Sequence, residues 1–251
     1  VIGVNARAGT GKTTTLSMFA KQYPRCRILY LVFNRKAREN AKEKFPENVN
    51  IHTVHSLAFR FEGHRWKDSL GGFTPADMLP AFDGSNGKHE LAGLSCQFLT
   101  FFLNSPHLRL EDAVDPFGPQ LSGNLEKVFK QRSDDIVKAC RDIATHWNRC
   151  EKQCPHDFYL KLFHKSGAFQ ATLDKYDVVL VDEAQDLSPV MLDALGKCRK
   201  RIVIVGDSHQ QIYSFRYAID AMRRLKCEEE FQLTRSFRFG SKIADLATVL
   251  I

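Results

Sequence analysis

Residues 6–13 read Ala-Arg-Ala-Gly-Thr-Gly-Lys-Thr and stand between an apolar run at 1–4 and a helical pattern that begins at Lys12. Strand, glycine-rich loop and helix in this order form the setting of a phosphate-binding loop. Backbone N–H groups at the helix start would surround the phosphates, and Lys12 would reach the β and γ groups. The Thr13 hydroxyl would hold Mg²⁺. The usual pattern begins with glycine, so Ala6 departs from it by one position.

Three further apolar runs, at 28–33, 178–181 and 202–205, indicate the fold class. Each is continuous rather than alternating, which is typical of strands buried on both faces in a parallel sheet covered by helices. A helical pattern at 35–45 follows the first run. The sequence therefore predicts an α/β fold with helices flanking a parallel sheet, and together with the phosphate-binding loop it resembles the P-loop NTPase (RecA-like) type.

The composition of the chain is different between residues 61 and 154. Glycine and proline interrupt short helical patterns there, and no buried strand is evident. We interpret 61–154 as a mostly helical inserted subdomain, with 121–147 as its longest helical stretch. The segments 1–60 and 155–251 would then form one ATP-binding domain.

Composition restricts the classes of protein to consider. The chain has 251 residues, and its mean hydropathy is −0.30 with no apolar run of membrane-spanning length, so a membrane protein is not expected. Seven cysteines without a small-scaffold pattern indicate reduced, intracellular thiols. Of the net charge of +7, residues 1–66 carry twelve Lys or Arg against four Glu, which is +8. This asymmetry indicates either a polyanionic partner or a solvated basic face.

Two acids, Asp182 and Glu183, follow the buried run at 178–181. They would lie at the carboxyl end of a strand, where open α/β sheets bind ligands. A carboxylate there can hold the magnesium of a nucleotide, and its neighbour can orient the attacking water. We assign Asp182 to the metal and Glu183 to the water. The alternative is that both acids precede a helix whose N-cap and first residue are Ser188 and Pro189.

Residues 205–216 repeat this arrangement after the next buried run. Gln210 can hydrogen-bond a γ-phosphate or the attacking water. Phe215 and Arg216 pair a flat ring with a cation, and such a pair can stack on a base and contact a phosphate of single-stranded nucleic acid. Core packing is the alternative for Phe215.

A weaker group consists of His146, Cys150, Cys154 and His156. Two thiolates and two imidazoles would suit Zn²⁺, but the spacing matches no zinc-finger pattern. Buried helix cysteines are the preferred interpretation.

Taken together, these segments resemble superfamily 1 helicases of the UvrD/Rep type. The match extends over most of the chain, and the segments resembling motifs I, Ia, Ib, II, III and IV are 5–14, 32–36, 53–56, 181–186, 205–218 and 233–238. Within this group, the runs at 5–13, 155–161 and 206–213 look most similar to the F-box DNA helicases.

The resemblance implies roles for particular side chains. Phe33 and His55 would line the path of the single strand, Phe215 would stack on a base, and Arg216 would lie near the backbone. Phe237 would lie against adenine, and Arg238 would stabilise the charge on the γ-phosphate. The implied nucleotide-binding residues are Ala8, Gly9, Thr10, Gly11, Lys12, Thr13, Thr14 and Phe237. The implied catalytic residues are Lys12, Glu183, Gln210 and Arg238.

Further expectations follow from the resemblance. ATP and Mg²⁺ are the expected cofactors, and single-stranded DNA is the expected partner, together with repair or recombination proteins. A second motor domain is expected in the full-length protein, so this piece alone should hydrolyse ATP weakly and should not unwind a duplex. The family usually has glycine at the position of Tyr217. An intracellular location is implied, which is the nucleus in a eukaryote or the cytoplasm in a bacterium.

The favoured function is therefore the ATP-binding half of a DNA helicase that moves along single-stranded DNA, in the 3′ to 5′ direction by family analogy. One alternative is a DNA-stimulated ATPase that strips proteins from DNA without unwinding it. Another is a degenerate nucleic-acid-binding lobe that no longer turns over ATP.

Overall fold

The computed structural model describes residues 1–212, 217–238, 240 and 242–243 of the chain. The strands are β1 (Ile2–Ala6), β2 (Ile28–Leu31), β3 (Val49–His52), β4 (Val178–Val181), β5 (Arg201–Gly206) and β6 (Glu229–Leu233). The α-helices are α1 (Lys12–Gln22), α2 (Arg35–Lys42), α3 (Val54–Phe61), α4 (Pro75–Met78), α5 (Lys88–Asn104), α6 (Val114–Phe117), α7 (Asn124–Gln131), α8 (Ser133–Asn148), α9 (His156–Lys165), α10 (Ala168–Leu173), α11 (Pro189–Gly196) and α12 (Ala221–Arg224). Short 3₁₀ segments lie at Gly63–Ser69, Leu79–Phe82, Glu111–Ala113, Gly118–Gln120, Ala184–Asp186 and Ser208–Gln210.

The chain divides into two compact units. Residues 1–57 and those from 167 onward form the sheet unit, and residues 58–166 form the helical unit. The first change of unit falls inside α3, three residues before the predicted boundary. The second falls twelve residues after the predicted boundary at 154/155, so α9 lies in the helical unit. Its Phe158 ring packs there against Trp66 and Trp147, with centroids 5.4 and 5.3 Å apart.

The strands of the sheet unit pair in parallel, in the order β3-β2-β4-β5-β1-β6. Every residue of β2 and β4 is buried, as the continuous apolar runs predict. This confirms the α/β parallel-sheet fold. The strands β3 and β6 were not predicted from the sequence.

Strand order explains where the functional loops lie. Because every pair is parallel, all carboxyl ends point to one edge of the sheet. The register of the pairs makes neighbouring strands end at the same height in the sheet. Asn5 of β1 lies opposite Gly206 of β5, and Leu31 of β2 lies opposite Val181 of β4. The loops that begin after β1, β2, β4, β5 and β6 therefore start at one carboxyl edge.

The helical unit is built around aromatic side chains. Trp66, Phe98, Phe117, Phe129 and Trp147 are nearly inaccessible to solvent, and Trp66 Nε1 donates a 2.6 Å hydrogen bond to the Trp147 carbonyl. The stretch at 121–147, predicted to be the longest helical one, is interrupted at Arg132 between α7 and α8. The longest helix described in this unit is α5, with 17 residues.

In the part of the chain that the structure describes, every helix is too short or too polar to span a lipid bilayer. All seven cysteines are free thiols in the structure.

Candidate nucleotide site

Glycine gives the loop between β1 and α1 its shape. Gly9 has φ 72° and Gly11 has φ 84°, a left-handed conformation that side chains with a Cβ rarely adopt. Gly11 is the N-cap of α1, so the free N–H groups of the first helical turn begin at Lys12. A Cβ added at Gly11 would meet no atom within 4 Å. An open space beside helix N–H donors is what a phosphate group requires.

Lys12 and Glu183 form an ion pair at the carboxyl edge. The Lys12 Nζ to Glu183 Oε2 distance is 3.2 Å, and the side chains are 14% and 36% exposed. The ammonium predicted to bind phosphate therefore lies beside the carboxylate predicted to orient water. Glu183 also has φ 51°, a left-handed conformation that costs a non-glycine residue energy and often marks functional positions.

Asp182 lies deeper than Glu183. Its Oδ2 accepts a 2.6 Å hydrogen bond from the Tyr30 hydroxyl, and its Oδ1 accepts one of 3.0 Å from the Glu183 N–H. Burial raises the pKa of Asp182, while the Tyr30 hydrogen bond opposes that rise. Burial, followed by the charge of Asp182, raises the pKa of Tyr30, so this hydroxyl keeps its proton at neutral pH and donates the hydrogen bond to Asp182.

The Thr13 side chain lies near the same Tyr30 hydroxyl, close enough to lower the pKa of that tyrosine. A hydroxyl and a carboxylate are hard oxygen donors, the kind that Mg²⁺ prefers alongside nucleotide phosphates. The residues predicted to hold magnesium, Thr13 and Asp182, are thus brought together through one tyrosine and fit such an ion.

Gln185 links the acids after β4 to the loop after β5. Its Nε2 donates to Glu183 Oε2 over 2.7 Å, and its Oε1 accepts from the Asp207 N–H over 3.1 Å. Asp207 in turn accepts a 2.5 Å hydrogen bond from Gln210 Nε2. The predicted residue Gln210 thus connects to Glu183 through two intermediate residues, Asp207 and Gln185. Sequence reasoning gave no role to Gln185, although a glutamine only 2% exposed requires hydrogen-bonding partners.

The segment after β6 lies against the phosphate-binding loop. The Phe237 N–H donates to the Gly9 carbonyl over 2.8 Å, and the Ser236 hydroxyl donates to the Ala8 carbonyl over 3.1 Å. Phe237 is 72% exposed, and the Arg235 guanidinium carbon lies 5.4 Å from the centre of its ring. The backbone thus brings Phe237 and Arg238 to the loop. Adenine contact and γ-phosphate contact by these two residues stay predictions.

Two of the residues predicted to contact DNA also come shortly after strands of the sheet. Phe33 lies two residues after β2 and is 38% exposed, and His55, in α3, lies three residues after β3 and is partly buried. Phe215 and Arg216 lie outside the described residues. Tyr217, at the position where the resembled family usually has glycine, has φ 62°. That left-handed conformation explains why glycine suits the position.

In the structure, the two histidines of the candidate zinc group contact other side chains instead of converging with the cysteines on one metal site. His146 Nδ1 lies 2.5 Å from Glu151 Oε2, His156 Nδ1 lies 2.8 Å from the Tyr159 hydroxyl, and Cys154 is buried. Cys150 is exposed rather than buried. In the part of the chain that the structure describes, no three His, Cys, Asp or Glu side chains form a metal-binding cluster.

We expect Gly9→Ala to destabilise the protein more than Gly11→Ala. Both substitutions impose a left-handed alanine, at roughly 1–2 kcal/mol. At Gly9 the new Cβ would also lie 2.5 Å from Arg238 Cβ and 3.2 Å from the Arg238 nitrogen, which adds about 1–3 kcal/mol of overpacking. Urea unfolding of the two variants measures the difference, and equal losses of stability would contradict the packing of 236–238 on the loop.

The AAA domain family model matches residues 1–216 of the chain. The F-box DNA helicase protein 1 of Schizosaccharomyces pombe is 34% identical over 271 residues, which cover 100% of this chain and 31% of the relative. The F-box DNA helicase 1 of Gallus gallus is 29% identical, with 100% and 26% covered. The probable DNA helicase II homolog of Mycoplasma pneumoniae is 27% identical, with 99% and 40% covered.

These relatives confirm the resemblance to UvrD-like DNA helicases and to their F-box branch. The chain spans about a quarter to two fifths of the length of these curated relatives.

Proposed function

This chain belongs to the AAA domain family, and from that membership we propose that it is the ATP-binding half of a DNA helicase. When complete, that helicase would couple ATP hydrolysis to movement along single-stranded DNA and to duplex unwinding. The observation that carries the proposal is the convergence of Lys12, Thr13, Asp182 and Glu183 at the carboxyl edge of a parallel sheet.

Each side chain has a proposed task in ATP hydrolysis. Lys12 would balance the charge of the β- and γ-phosphates, with the N–H groups at the start of α1 beside it. Thr13 and Asp182 would hold Mg²⁺, which when bound neutralises phosphate charge. Glu183 would orient and deprotonate the attacking water, and Gln210 would hydrogen-bond that water or the γ-phosphate.

For ATP hydrolysis, Lys12 has to leave Glu183 and pair with a phosphate of the nucleotide. Its ammonium pairs with Glu183 at 3.2 Å, and both side chains are accessible enough for a phosphate to compete. Once a phosphate takes the ammonium, Glu183 is released to act on water. Before the nucleotide binds, the ion pair with Lys12 would keep the Glu183 carboxylate from acting on water.

The remaining assignments concern adenine, the γ-phosphate and DNA. Phe237 would lie against adenine, and Arg238 would stabilise charge on the transferring phosphoryl group. Phe33, His55, Phe215 and Arg216 would contact the single strand, with 3′ to 5′ movement. We further propose a second motor domain in the full-length protein, repair or recombination partners, and a nuclear location in a eukaryote or a cytoplasmic one in a bacterium.

The test is an assay of the full-length protein for ATP hydrolysis and strand displacement. We expect single-stranded DNA to stimulate hydrolysis and a partial duplex to be unwound. Stimulated hydrolysis without displacement would favour a protein-stripping ATPase. Nucleic-acid binding without hydrolysis would favour the degenerate lobe, against which the intact set Lys12, Thr13, Asp182, Glu183, Gln210 and Arg238 argues.

We expect Phe215→Ala to weaken single-stranded DNA binding by about 1–3 kcal/mol, because one base loses its stacking partner. Nucleotide affinity should not change. The dependence of DNA affinity on salt should keep its slope, since a phenyl ring releases no counterions. Fluorescence anisotropy at several salt concentrations measures both quantities. Normal DNA affinity together with a destabilised fold would instead support core packing of Phe215.

A further inference from the structure

The Tyr30 hydroxyl lies between the two side chains assigned to magnesium. It donates a 2.6 Å hydrogen bond to Asp182 Oδ2, and the Thr13 side chain lies nearby. Tyr30 belongs to β2, Asp182 follows β4 and Thr13 is in the first turn of α1. One hydroxyl therefore holds one candidate ligand, Asp182, and lies beside the other, Thr13.

This contact restricts the orientation of the Asp182 carboxylate. A carboxylate rotates easily about its last bond, since that torsion has only a broad preference. Here Oδ1 accepts from the Glu183 N–H and Oδ2 accepts from Tyr30, so both oxygens have a fixed protein donor. Each oxygen still has a lone pair available for a cation.

Tyr30 is itself held rigidly. It is 1% exposed, and its ring packs 4.5 Å, centroid to centroid, from Phe45 within the core that covers the sheet. The neighbouring strand β4 has Leu180 directly opposite it. A phenylalanine would fill this apolar position without burying a hydroxyl, so packing alone does not account for tyrosine here.

Resting on the proposed function, we propose that Tyr30 is a positioning residue for magnesium: its hydroxyl orients the Asp182 carboxylate so that this carboxylate, beside the Thr13 hydroxyl, presents oxygen to one divalent cation. Partners of metal ligands typically change metal affinity about 10- to 100-fold when they are removed. Tyr30 would thus act on ATP hydrolysis without touching the nucleotide.

The test compares Tyr30→Phe with the unaltered protein in Mn²⁺ binding, measured by electron paramagnetic resonance with a non-hydrolysable ATP analogue present. We expect roughly tenfold weaker Mn²⁺ affinity in Tyr30→Phe. Affinity for the analogue without metal should stay the same, because Lys12 and the loop are intact. This second measurement also shows that the variant is folded.

Tyr159→Phe is the matched control. Its hydroxyl is likewise hydrogen-bonded, to His156 at 2.8 Å, but lies in the helical unit. It should leave Mn²⁺ affinity unchanged. Unchanged or tighter Mn²⁺ binding by Tyr30→Phe would overturn the positioning role, even if thermal stability falls. An unaltered protein that binds neither the analogue nor Mn²⁺ would overturn the nucleotide site on which the proposal rests.

Discussion

Lys12→Ala is expected to abolish nucleotide binding, with a loss of affinity of at least about 100-fold, or roughly 3 kcal/mol. The ammonium is the one cation among the described residues that forms an ion pair with Glu183, and it follows directly on the open space at Gly11. Without it, the phosphates would meet two acids, Asp182 and Glu183, and would lose the ammonium that now pairs with Glu183. Calorimetric titration with ADP and an ATP analogue measures the loss.

The control for this variant is Lys21→Ala, which removes an exposed lysine from the last turn of the same helix. It should leave nucleotide affinity unchanged. Glu183, left without its partner, is 36% exposed, so solvent can hydrate it and the fold should survive. Nucleotide affinity of Lys12→Ala equal to that of the unaltered protein would remove the basis for the phosphate-binding loop.

Glu183→Gln should separate hydrolysis from binding. A general base contributes typically 10²–10⁴-fold, so single-turnover hydrolysis is expected to slow by about that factor. Nucleotide affinity should be retained or rise, because the neutral amide no longer competes with phosphate for Lys12. The amide oxygen can still accept the hydrogen bond from Gln185 Nε2, so the local structure is preserved.

Rapid-quench measurements with single-stranded DNA present give the rate of hydrolysis. Glu39→Gln, an exposed acid in α2 that pairs with Arg35, serves as the comparison and should hydrolyse ATP normally. If Glu183→Gln retained full single-turnover hydrolysis, another residue would have to activate the water. Loss of binding and hydrolysis together would point instead to a structural role of the ion pair.

The buried central strands of the sheet could be predicted from the sequence, and the edge strands β3 and β6 could not. Continuous apolar runs located β2, β4 and β5, because strands covered on both faces exclude polar residues. The strand β6 reads Glu-Glu-Phe-Gln-Leu and is mostly exposed, so it lacks that signal. In the helical unit, the predicted stretch 121–147 breaks at Arg132, where no glycine or proline marks the end of α7.

The sequence identified candidate site residues that follow strands and loops in chain order, but it did not identify which residues contact one another across the sheet. The order of loop, strand and acids indicated Lys12, Asp182 and Glu183, but contacts between strands depend on register, which a single sequence does not contain. Tyr30 and Gln185 were missed for that reason. The available signal was a polar group in an apolar setting, since a hydroxyl or amide buried in a core requires a partner.

The Gln185 side chain also limits how this protein can evolve. Its Oε1 would lie 2.7 Å from a Cβ added at Gly206, while its two ends are hydrogen-bonded to Glu183 and to the backbone of Asp207. A larger residue at 206 displaces the amide, and a shorter one at 185 leaves the carboxylate and the strand end without their shared partner. A Cβ at 206 would also lie 3.2 Å from the backbone nitrogens of Ala184 and Gln185, so a change at 185 does not make room for it and descendants of this sequence should keep both residues.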